Sequence, residues 1–102
     1  MARRCPALPV DCYLVDVLLR DLVGHDKRPA AFLVYLHFYA LSERNGWMPI
    51  SASLRNVSEE TGLSKSAAQA AVAVLRRRKL INTRSASATA VSVHRVNRPW
   101  RE

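Results

Sequence analysis

The side chains from Lys65 to Gln69 that could do chemistry are binders rather than reactants. The amide of Gln69 can form two hydrogen bonds to an adenine edge, worth about 1–3 kcal/mol of discrimination. The Ser66 hydroxyl both donates and accepts, so it tolerates more than one partner. Ala67, Ala70 and Ala73 can touch thymine methyl groups but form no hydrogen bond. Lys65, Arg77, Arg84 and Arg95 are cations of the kind that displace counterions from phosphates. Arg55 and Arg98 are weaker candidates for the same task. The backbone amides near Ser64 to Ser66, at a helix start, can hold a further phosphate.

Reactive constellations are missing. His25, His37 and His94 are far apart, and no nucleophile has a base at a recognisable spacing. With three glycines, Gly24, Gly46 and Gly62, no phosphate-cradling loop can be assembled. Cys5 and Cys12 lie seven apart, which is not a zinc spacing and no disulfide framework. Asp11, Asp16, Asp21 and Asp26 recur every five residues. On an α-helix each step turns the next carboxylate by about 140°, so the four are expected to spiral apart. The expectation is a protein that is no enzyme, with no cofactor, no metal and no evident small-molecule substrate.

Charge points the same way. The formal net charge is +8, and it is uneven. Residues 1–45 carry six Lys/Arg against five Asp/Glu, whereas residues 46–102 carry ten against three. A basic half of this kind favours a polyanionic partner, nucleic acid first. No apolar run reaches membrane-spanning length, and Asp11 and Asp16 interrupt the stretch behind the basic N-terminus. A soluble cytoplasmic protein is expected, nucleoid-associated in a prokaryote.

The elements that must position these side chains are two helices and a turn. Leu54–Thr61 reads as the first helix, capped by Ser51 or Ser53. Its Glu59 and Glu60 stand at the unfavourable negative end of the helix dipole. Gly62 suits the corner because glycine reaches φ > 0 without steric cost. Ser64 reads as the N-cap of a second helix, Lys65 to about Lys79. There Ala68, Ala71, Val72 and Leu75 recur at three- and four-residue steps on one side, opposite Ser66, Gln69, Ala70 and Ala73. Leu80–Arg84 and Thr89–Val96 read as strands around a turn at Ser85–Ala88, Val91 and Val93 alternating with Ser92 and His94.

The run Val57-Ser58-Glu59-Glu60-Thr61-Gly62-Leu63-Ser64-Lys65-Ser66, with Ala68, Gln69, Ala71, Val72, Leu75 and Leu80-Ile81 behind it, resembles the helix-turn-helix of winged-helix DNA-binding proteins. A small residue at Ser58, the turn glycine, the leucine after it and the Leu-Ile that opens the wing all match. The resemblance covers about residues 29–97. It implies a mainly α fold with a small β-hairpin, in the order α-α-β-α-α-β-β. It also implies double-stranded DNA as partner, with the helix 65–79 in the major groove and the wing 81–96 on the backbone. The implied role is a small transcriptional regulator. Replication initiation or plasmid maintenance, and protein interaction within a larger assembly, are the alternatives. Ala70, Ala73 and Val74 stand where relatives often carry polar residues, which favours shape readout or a protein contact.

The rest of the chain frames this unit. Residues 1–10 form an irregular basic arm with Pro6 and Pro9. Residues 11–28 form a helix and linker, capped by Asp11 and stopped at Gly24. Its stripe of Leu14, Val15, Leu18, Leu19 and Leu22 either packs across the domain or pairs with a second copy, and a homodimer is the favoured expectation. Pro29 opens the central helix to Arg44, with Phe32, Leu33, Leu36, Tyr39 and Ala40 as its main buried face. Asn45-Gly46 ends it. Pro49 limits Trp47–Ser51 to an edge strand. Residues 98–102 are a tail whose Trp100 folds back on the core.

Overall fold

The computed structural model describes residues 6–85 and 91–101. It is mainly helical, with a small three-stranded antiparallel sheet. The helices α1 (Pro29–Arg44), α2 (Leu54–Thr61) and α3 (Lys65–Arg77) alternate with strands β1 (Ile50–Ser51), β2 (Ile81–Arg84) and β3 (Val93–Val96). The sheet order is β1-β3-β2. The short strand after α1 is an edge, as Pro49 requires, and pairs Ile50 with His94 and Ser51 with Val93. Residues 1–5, 86–90 and 102 lie outside the described residues, and with them half of the expected arm and most of the turn expected at Ser85–Ala88.

The N-terminal segment departs from expectation. It is wound as a π-helix over Leu14–Leu18 and Arg20–His25, closed by i→i+5 bonds such as the Asp26 amide to the Asp21 carbonyl at 2.8 Å. The wider turn keeps only the four-residue row Leu14, Leu18 and Leu22 inside, while Val15 and Leu19 face outward. Gly24 does not stop the segment. The break comes at Asp26 and at Lys27, whose φ is +55°. Asp11 does not cap it by its side chain either. That carboxylate accepts the Trp100 indole N–H and the Arg101 guanidinium, each at 2.7 Å. The indole also stacks on Tyr13 at 4.6 Å, so Trp100 does fold back.

Helix α1 is central, touching the N-terminal segment, α2, α3, β1 and β3. Its buried face is Ala31, Val34, Tyr35, Phe38, Tyr39 and Ser42, rotated from the expected one. Leu33 is exposed, and Phe32, Leu36 and Ala40 are half-buried. Because α1 is apolar almost all round, periodicity could not choose the face. Its neighbours did, with Tyr35 donating to the Asn97 carbonyl at 2.7 Å and Phe38 stacking on His94. Among the described residues, no helix is long and apolar enough to cross a membrane, and no cluster of three or more His, Cys, Asp or Glu could hold a metal.

Candidate nucleic-acid interface

The turn ahead of α3 is built from local signals. Ser53, not Ser51, caps α2, its hydroxyl accepting the Asn56 amide at 3.1 Å. Gly62 takes φ +81°, the left-handed corner that glycine occupies without strain. The Thr61 hydroxyl donates to the Val57 carbonyl at 2.7 Å and accepts from the Leu63 amide at 3.3 Å. Ser64 then caps α3, accepting the Ala67 amide at 3.1 Å. Glu59 gains a partner in Arg55 at 3.1 Å, one helical turn back, which occupies a weaker candidate cation.

Ala68, Ala71, Val72, Val74 and Leu75 are the buried side of α3. Two alanines among them let it lie close against α1. Val74 is thus core, not part of an apolar outward surface as its position suggested. The opposite arc exposes Lys65, Ser66, Gln69, Ala70, Ala73, Arg76 and Arg77, with Ala67 half-buried at its margin. Helix α3 contains no acidic residue.

The helix ends in a Schellman turn. The Leu80 amide donates to the Leu75 carbonyl at 2.9 Å and the Lys79 amide to the Arg76 carbonyl at 3.0 Å. Lys79 holds the left-handed position at φ +60°. Arg78, the cap residue, turns back to the N-terminal segment. Its guanidinium meets Asp21 at 2.7 Å and Asp26 at 3.2 Å. The five-residue spacing that separates carboxylates on an α-helix brings these two together on a π-helix.

A cleft of about 250 Å³ separates α3 from the inner side of the sheet, between Gln69, Ala73 and Arg76 on one wall and Thr83, Ser92 and His94 on the other. Arg76 was not singled out from sequence, yet the signal was there. Seven residues beyond Gln69, it lies only about 20° from it around the helix. His94 forms the floor and is buried. Its Nε2 lies 3.2 Å from the Ala52 carbonyl, an obligate acceptor, and its Nδ1 lies 3.0 Å from the Thr83 hydroxyl. The Ala52 acceptor requires a hydrogen on Nε2, so in the neutral ring Nδ1 accepts from the Thr83 hydroxyl. Burial pushes its pKa down from the usual histidine value, and the nearby Arg76 charge adds to the effect.

The phase of β3 is the reverse of its apolar alternation. His94 and Val96 point inward, while Val91 and Arg95 are exposed. In β2, Ile81 and Thr83 point inward, and Asn82 and Arg84 outward. Arg84 and Arg95 therefore leave the sheet on the side away from α3. Of the residues expected to contact DNA, those on α3 and those on the sheet thus face different ways. Arg98 lies with its guanidinium 3.6 Å over the Trp47 ring. No family model, curated protein or solved structure matches this chain.

Proposed function

We propose that this chain is a winged helix-turn-helix protein that binds double-stranded DNA with α3 in the major groove, acting as a small transcriptional regulator. The element order and the β1-β3-β2 sheet are compatible with that layout. One observation carries the reading. The exposed arc of α3 presents Lys65, Ser66, Gln69, Ala73, Arg76 and Arg77 together, with no carboxylate on the helix. Lys65 and Arg77 would hold phosphates, and Gln69 would read an adenine edge. Arg76, sharing the cleft wall with Gln69, would work beside it. A homodimer through the outward Val15 and Leu19 belongs to this reading. Replication initiation or plasmid maintenance would use the same surface.

One feature favours protein interaction instead: Ala70 and Ala73 leave a smooth strip in the middle of the exposed arc. Titrating salt against binding to a random duplex separates the readings. DNA binding should weaken steeply with salt, and Lys65→Ala and Arg77→Ala should each lower the slope by about one. An unchanged slope in both variants would assign α3 to protein contact.

A further inference from the structure

The outward side of the sheet is a second basic surface. Asn82 faces Arg95 across the strands, and Arg84 faces Val93. Arg84 and Arg95 are therefore diagonal neighbours on one side, roughly 7–8 Å apart. Two shallow concavities share Asn82 and Arg95. One continues to Arg84 and Pro49, the other to Trp47 and Arg98. Among the described residues, Arg84, Arg95 and Arg98 form no ion pair. The strand positions that face this way, Ser51, Asn82, Arg84, Val93 and Arg95, include no acid. Two cations this close with no acid beside them form a local positive patch that attracts an anion. The α3 cleft opens on the other side of the same strands, at Thr83 and His94.

We propose that the outward side of the sheet binds the phosphate backbone of a second DNA duplex, so that each chain bridges two duplex segments. This rests on the DNA-binding reading of α3 and adds a separate site to it. Arg95 stands on β3, which is hydrogen-bonded on both sides, and Arg84 on the neighbouring edge strand β2, so the sheet fixes where both cations are presented, which suits a contact to phosphates. Arg98, fixed over Trp47, extends the row beyond the strands.

The test is the mass of the complex formed in low salt with an excess of random duplex about one helical turn long. Native mass spectrometry or sedimentation reads the number of duplexes per protomer. Two are expected for the unaltered chain, one for Arg84→Glu/Arg95→Glu, and one for Lys65→Glu/Arg77→Glu. All four residues are exposed, and a thermal melt confirms that both variants stay folded. One duplex per protomer in the unaltered chain, or two still bound by Arg84→Glu/Arg95→Glu, overturns the second site and leaves α3 binding intact. Loss of all binding in each variant also overturns it, because it would mean one continuous surface. No duplex bound by the unaltered chain overturns the DNA reading itself.

Discussion

The Arg78 guanidinium and the Asp21 carboxylate stand 2.7 Å apart, although 57 residues separate them in sequence. With Asp26 beside them, they fasten the end of α3 to the π-wound N-terminal segment. Three of the four basic residues at the end of α3 are thus left for a ligand, and Arg78 is structural.

Arg78→Ala should therefore destabilise the fold without changing DNA affinity much. The pair is partly exposed, so the loss should be about 1 kcal/mol by urea unfolding. Amide exchange should quicken over residues 14–25, while the salt slope of duplex binding stays as it was. A changed slope would return Arg78 to the DNA surface.

Stability should fall as pH drops below about 6.5, the ordinary histidine value. Burial lowers the pKa of His94 and of His37 in the folded state. The unfolded chain takes up protons that the folded chain refuses, so stability is fullest above 6.5 and declines below it until the folded rings also protonate. His94→Gln should flatten part of this dependence in urea midpoints measured from pH 8 to 5.

Lys79→Gly should stabilise the protein by about 0.5–1 kcal/mol. Lys79 occupies the left-handed position that a Schellman turn reserves for glycine, and its side chain is exposed. Chemical denaturation would show the gain as a higher midpoint at constant slope.

Gln69→Ala should relax the preference at one base pair in duplexes selected from a random pool. Arg76→Ala should weaken the preference at a neighbouring position, since both side chains wall the same cleft. An equal loss of affinity on every sequence would make them phosphate contacts instead.

Under the proposed homodimer, Val15→Asp with Leu19→Asp should give a folded monomer in sedimentation with a somewhat lower melting temperature, and an unaltered chain that is already monomeric at high concentration would end that proposal. Leu18 does not suit this experiment, because it is buried in the protein's own core and an aspartate there would unfold the chain.

The sequence by itself determined the turn and helix at the centre of the proposed site. Gly62, Ser53 and Ser64 act within a few residues of where they stand, and the small-residue row of α3 declares its buried side by spacing alone. Other choices needed contacts from distant parts of the chain. An apolar helix such as α1 has no favoured side until Asn97 and His94 meet it. A strand such as β3 can bury either of its two faces, and the acceptor at Ala52 with the ring of Phe38 turned His94 inward and Arg95 out. On an α-helical period the aspartates scatter around the axis. Only the π winding and the approach of Arg78 brought two of them together. Local geometry is written in neighbouring residues, whereas the facing of a side chain is decided by whichever remote group lowers its free energy on burial.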